Sequence, residues 1–191
     1  AYERLYGIRG DGIGQGVATR IVSETGGPFA RTGIIGAGRE QGVGVNWIVF
    51  DTRGLVGRVI AVGAHTSRVL LLTDGDSRVP VMGETTRARA ILQGDKTAAP
   101  LLSHLNLPPI IREDERLLTS GDDGLFPRGI AVGVAATGPD GRMRVRLASD
   151  RAPLDFVRAV PPTSFPAPPD TVTLPAFAPP PAEPLPASTA G

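Results

Sequence analysis

Residues 54–74 read GLVGRVIAVGAHTSRVLLLTD, and residues 129–150 repeat that outline as GIAVGVAATGPDGRMRVRLASD. Each has a Gly start, a run centred on Val-Gly, a Gly-containing turn, a run with Arg-Val at its heart and an acidic close. Similar lead-ins, GAGREQGV at 36–43 and TSGDDGLF at 119–126, stand upstream of the two copies. Self-similarity of this kind implies a duplicated supersecondary unit. The unit here is β, so the chain is expected to fold as two small β barrels in tandem.

The rest of the chain supports an all-β reading. Short runs rich in Val and Ile are cut at close intervals by Gly, Asp and Pro. Strands are expected at 17–22, 32–35, 47–50, 56–62 and 68–73. In the second unit they are expected at 87–92, 101–107, 116–119, 130–136, 142–147 and 156–160. In Arg142-Met143-Arg144-Val145-Arg146-Leu147 the alternation is strict, which puts Met143, Val145 and Leu147 on the core face and the three arginines on the other. No helical periodicity of useful length is present.

Boundaries follow from composition. Residues 1–16 are a Gly-rich flexible lead-in, which reads as the end of a removed N-terminal segment. Barrel I is placed at 17–82 and barrel II at 83–160, with edge strands open to exchange between them. Residues 161–191 hold eleven prolines in 31 positions and no hydrophobic period, and are expected to be a disordered tail. Each unit is small enough that its core is marginal alone. The barrels are therefore expected to share an interface, with Trp47 as a contributor.

The chain has 191 residues, 20 basic and 19 acidic, and no cysteine. No strong field draws it to nucleic acid or to an acidic membrane, and disulfide and thiol chemistry are excluded. Lys96 is the only lysine, an arginine bias that a G+C-rich genome gives, as would a surface built for bidentate contacts. No apolar run reaches the length of a membrane span. Arg9-Gly10-Asp11 is read as a chance tripeptide in a Gly-rich segment.

His65, Asp74 and Ser120 follow the chain order of the two-barrel serine proteases. No Gly-Asp turn precedes Ser120, however, and a triad is made by geometry rather than order. No complete phosphate-binding glycine motif occurs, and two histidines without cysteine leave little for a transition metal. No cofactor, metal or catalytic site is expected. The candidates for partner binding are Phe126 and Pro127, as an apolar anchor in a partly exposed turn, and Arg142, Arg144 and Arg146, as a rim orienting an acidic partner. Open strand edges are expected to serve as templates for strand addition.

Three stretches resemble one known family: residues 54–60, residues 62–74, and Ser77-Arg78-Val79-Pro80-Val81. The run Thr119-Ser120-Gly121-Asp122-Asp123-Gly124-Leu125-Phe126-Pro127-Arg128-Gly129, followed by Val132-Gly133, is similar to that family's second signature. The family is the bacterial rod shape-determining protein MreC, and the likeness covers roughly residues 17–160. Two departures are visible: Asp114-Glu115 stands where the family has Gly-Asp, and Ala64 where it has Pro.

The resemblance implies a pair of six-stranded barrels distantly like those of chymotrypsin, without a catalytic role. It also implies a non-enzymatic scaffold of the cell-elongation complex, outside the cytoplasmic membrane, with an N-terminal membrane helix as anchor and a coiled coil, both absent from this chain. Implied partners are the elongation-specific penicillin-binding transpeptidase, MreD, MreB and further copies of itself; no nucleic acid is expected. The alternatives are a two-barrel serine hydrolase using His65, Asp74 and Ser120, and an OB-like module binding glycan or nucleic acid.

Overall fold

The structure, a computed structural model, describes residues 16–25, 32–104, 108–149 and 156–162. The flexible lead-in, the Arg9-Gly10-Asp11 tripeptide and all but the first two residues of the Pro-rich tail lie outside the described residues. Twelve strands are present: β1 (Val17–Thr25), β2 (Thr32–Ile35), β3 (Ile48–Phe50), β4 (Leu55–Val62), β5 (Ser67–Leu71), β6 (Arg78–Gly83), β7 (Arg89–Gln93), β8 (Leu101–His104), β9 (Arg116–Thr119), β10 (Ala131–Thr137), β11 (Met143–Leu147) and β12 (Phe156–Val160). Among the described residues the only helical element is a 3-10 turn, Arg39–Gln41.

The strands form two closed six-stranded antiparallel barrels. Barrel I runs around the ring as β12-β1-β2-β5-β4-β3, and barrel II as β6-β7-β8-β11-β10-β9. In ring order β12 and β1 to β5 occupy the places of β6 to β11. The repeated hairpins, β4–β5 and β10–β11, are therefore equivalent. Their lead-ins are not: residues 36–43 lie between β2 and β3, whereas residues 119–126 lie between β9 and β10.

The Val-Gly pair of each repeat has a steric cause. A Cβ on Gly57 would sit 2.0 Å from the Leu70 carbonyl oxygen, and one on Gly133 would sit 2.2 Å from that of Arg146. In both hairpins the partner strand's backbone crosses where a side chain would stand, so only glycine fits.

The barrels do not divide at residue 82/83. β6 belongs to barrel II, and β12 returns from the far end to close barrel I between β1 and β3. β12 is thus the exchanged strand. β6 escapes the pattern of apolar runs because Pro80 interrupts it, and proline is disfavoured inside a sheet for lack of a donor. Here β6 is paired on both sides, while the Pro80 carbonyl accepts the Ser120 N–H at 2.9 Å.

Barrel I packs Ile35, Val49, Val56, Val59, Val69, Leu71, Val157 and Ala159 into its centre. Trp47 leans on this cluster, so it serves barrel I rather than the seam between barrels. The core of barrel II (Val79, Val81, Leu92, Leu117, Val132 and Val145 among others) is continuous with Ile48, Leu55, Leu72 and Val160 from barrel I. At the junction Ser149 Oγ donates to the Leu55 carbonyl at 3.2 Å. Gly54 lies so close that a Cβ would approach the Ala131 oxygen to 2.5 Å.

Candidate partner-binding surface

The signature turn after β9 is a loop held by its own polar groups. The Thr119 N–H donates to the Ile130 carbonyl and the Thr119 carbonyl accepts the Gly129 N–H, while its hydroxyl accepts the Ile130 N–H and donates to the Pro127 carbonyl. Asp123 Oδ1 accepts the Leu125 and Phe126 N–H groups at 3.0 and 3.2 Å. Gly121, Gly124 and Gly129 have φ of 80°, 67° and 95°, in the left-handed region that glycine enters freely. The loop drives Phe126 inward, 4% exposed and part of the core that joins the barrels. The partly exposed anchor expected at Phe126 is therefore an interior side chain, because the turn folds back over the seam. Pro127 is half-buried beside it.

The same loop separates the triad candidates. Ser120 is buried, and its hydroxyl donates to Asp122 at 2.7 Å; Asp122 also pairs with Arg89. Burial opposes ionisation of Asp122, but the Arg89 and Ser120 hydrogen bonds outweigh it and lower its pKa. His65 lies exposed in the β4–β5 turn, with Nδ1 3.3 Å from Glu40. Asp74 accepts the Asp76 N–H at 2.8 Å within its own turn. No hydrogen bond joins His65, Asp74 and Ser120, so the hydrolase alternative has no assembled triad.

The β11 register agrees with the alternation: Val145 is fully buried and Leu147 is 8% exposed. Arg142 and Arg146 point outward, and Arg146 meets Asp114 at 3.1 Å. Arg144 departs from the expected solvated face. Its guanidinium donates to Asp95 at 2.8 Å, to the Ala99 carbonyl at 2.7 Å and to Asp140 at 2.8 Å, with its side chain 16% exposed. It acts at the thinnest seam of barrel II, where β8 and β11 share the single pair Arg144↔Leu101. The Arg144 hydrogen bond is the main cause that holds the Asp140 carboxyl at about 2, and both carboxylates raise Arg144 in return. Burial opposes the same effect at Asp95, where hydrogen bonds from Thr97 and Arg144 prevail and lower the pKa.

Asp114-Glu115 is explained by the turn it forms. Asp114 has φ 60°, the conformation for which glycine is suited and which aspartate tolerates. Glu115 is buried and accepts the N–H groups of Thr85, Thr86 and Arg112 at 2.7–3.0 Å, together with the Thr86 hydroxyl. Burial alone would raise its pKa, but these donors lower it. The carboxylate thus ties the β6–β7 turn to the segment before β9. At Ala64 the chain places a carbonyl that accepts the Glu40 N–H at 3.1 Å, docking the 3-10 turn onto the β4–β5 hairpin.

Closure of both rings removes the free edges on which strand addition was expected. Recognition must use outward side chains. Two groups escaped the sequence reading. Phe156, 64% exposed, carries the Arg20 guanidinium 4.5 Å from its ring centre, near Val22 at 62% exposed. Arg116 and Arg53 flank the seam; their signal is an arginine at an outward position of a period-two run and another in a tight turn. Among the described residues no cluster of three His, Cys, Asp or Glu is placed to hold a metal, and no helix is long and apolar enough to cross a membrane.

A family profile described as "Rod shape-determining protein MreC, barrel core" matches residues 21–160. The cell shape-determining protein MreC of Caulobacter vibrioides is 48% identical over 157 residues, covering 82% of this chain and 45% of that protein. The chain spans about half the length of the curated relatives it matches. The crystal structure of MreC from Pseudomonas aeruginosa superposes with a TM-score of 0.60 at 30% identity, over 76% of this chain and 90% of that one. The fold also matches the complex between a penicillin-binding protein and MreC from Helicobacter pylori, with a TM-score of 0.53 at 16% identity, over 76% and 97% of the two chains. The double barrel, the signature loop and these likenesses agree: the chain belongs to the MreC family of rod shape-determining proteins.

Proposed function

We propose that this double barrel is a non-enzymatic scaffold in bacterial cell elongation, maintaining rod shape by organising peptidoglycan-synthesis proteins outside the cytoplasmic membrane. The observation that carries the reading is family membership over the whole barrel core. Two features support it. The polar side chains that would do hydrolytic chemistry are committed to turns, and the closed rings present rigid outward faces. The complex of a penicillin-binding protein with MreC from Helicobacter pylori supports the elongation-specific transpeptidase as a partner. MreD, MreB and self-association extend the proposal, with a membrane anchor supplied by sequence beyond this chain. Within the barrels, Pro127, Arg142 and Arg146 are the sequence-derived contact candidates that remain accessible. Pull-down of the same organism's elongation transpeptidase by the purified domain tests the reading. Specific, saturable retention is expected; its absence with the partner folded and active would remove the scaffold assignment.

A further inference from the structure

The outer face of barrel II meets barrel I in a cleft of about 360 Å³, and its charged lining is entirely guanidinium: Arg53, Arg116 and Arg146. Arg53 comes from the turn between β3 and β4, Arg116 from β9 and Arg146 from β11, so three elements of two barrels converge. The register fixes two of them. Val134 on β10 is the direct partner of both Arg116 and Arg146, which places the two arginines on one face in a row, with Val134 between them. Adjacent side chains in such a row stand about 5 Å apart, so the two arginine Cβ atoms are roughly 10 Å apart. Val134 and Ala131 give the floor an apolar character.

The present partners of the outer pair are weak. Arg146 meets Asp114 with side chains 58% and 79% exposed, and Arg116 approaches Glu84 only to 3.5 Å, with side chains 58% and 44% exposed. Exposed pairs of this kind contribute little and yield to a competitor that brings several carboxylates at once. Arg53 differs, being braced by Asp51, whose side chain is 5% exposed and also accepts the Arg53 and Gly54 N–H groups.

We infer that this cleft binds an acidic peptide segment of a partner protein, with carboxylates on Arg116 and Arg146 and an apolar residue over Val134. The apolar floor favours a peptide over a phosphate group, which would leave that floor without a contact. Planar guanidinium forks match carboxylates in two-pronged geometry. The inference stands apart from the scaffold reading, since the peptide assay interrogates the cleft alone and the transpeptidase pull-down does not depend on it.

The test is fluorescence anisotropy of the purified chain with a labelled peptide in which glutamates flank a central valine. Saturable binding that weakens with salt is expected. The double variant Arg116→Ser, Arg146→Ser should bind about tenfold more weakly, the loss of two exposed ion pairs. Asp114→Gly should bind about two- to threefold more tightly, because it releases Arg146 at a φ that glycine adopts freely. Each variant is checked for an unchanged melting curve. Absence of saturable binding overturns the inference, as does equal binding by the double variant or by the peptide with glutamine for glutamate. Tripolyphosphate binding to the same arginines while the peptide does not would make the cleft a phosphate site and overturn it equally.

Discussion

Barrel II is built from one uninterrupted run, residues 78–147, whereas barrel I takes five strands from before that run and its sixth, β12, from after it. The ring order is the same, so the difference lies in how the chain visits it. Barrel II can form from neighbours in sequence. Barrel I stays open between β1 and β3 until β12 arrives, and β12 arrives only after barrel II is complete along the chain. The cores differ in the same sense. The cluster inside barrel I is its own, while that of barrel II extends into Ile48, Leu55, Leu72 and Val160 of barrel I. Topological dependence runs one way and packing dependence the other, which makes the pair a single cooperative unit.

Removal of β12 is the most severe way to break this comparison. Ending the chain after residue 155 deletes Val157, Ala159 and Val160 from the two cores and leaves β1 paired only with β2 and β3 only with β4, so the ring of barrel I is open. The expected outcome is loss of any cooperative melting transition by circular dichroism, although every barrel II strand remains. A normal transition for barrel II alone would show that the shared core is dispensable. Next in size is Phe126→Ala, which empties a large buried side chain at the seam. It should cost about 3–5 kcal/mol in urea unfolding, the range for Phe-to-Ala in a packed core.

Arg144→Ser sharpens the comparison within barrel II, where side-chain clasping substitutes for a ladder at β8–β11. It should cost about 1–3 kcal/mol, because Asp95 and the Ala99 carbonyl lose their charged donor and keep only Thr97. Arg144→Lys should recover only part of that, since one ammonium cannot reach acceptors arranged around a planar fork. The smallest effect is pH-dependent and concerns Glu115. Its folded pKa lies below the ordinary value of 4.5, so its stabilisation is present above that value and is lost as pH falls through the folded pKa. The stability gap between the wild-type chain and Glu115→Gln should therefore be largest near neutrality and shrink in acid. A gap that grows on acidification would reverse the assignment.

Much of this architecture is legible in the sequence because the repeat and the period-two alternation are local signals. The two hairpins, the inward Val145 and Leu147, and the glycines at 57 and 133 all follow from short windows. What escaped depends on distant partners. Pro80 conceals β6 in an apolar run, since its place in the sheet is secured by β7, β9 and the Ser120 N–H. β12 looks like the last strand of barrel II until its pairing with β1 and β3 is seen. Phe126 reads as a turn residue because nothing near it in sequence announces the seam it fills. Arg144 alternates like its neighbours, yet Asp95 and Ala99, which arrest it, lie almost fifty residues away. At the surface, the sequence offered arginines on β11, whereas the cleft draws its three from separate elements.

The claim that the barrels are one unit is tested most directly by urea unfolding followed with two signals. Trp47, the chain's only tryptophan, packs against the barrel I core and reports on that barrel, while far-UV circular dichroism sees both. A shared core predicts a single transition with coincident midpoints and slopes for the two probes. A dichroism transition that persists after the Trp47 signal has finished changing, or precedes it, would contradict the account and make the barrels independent.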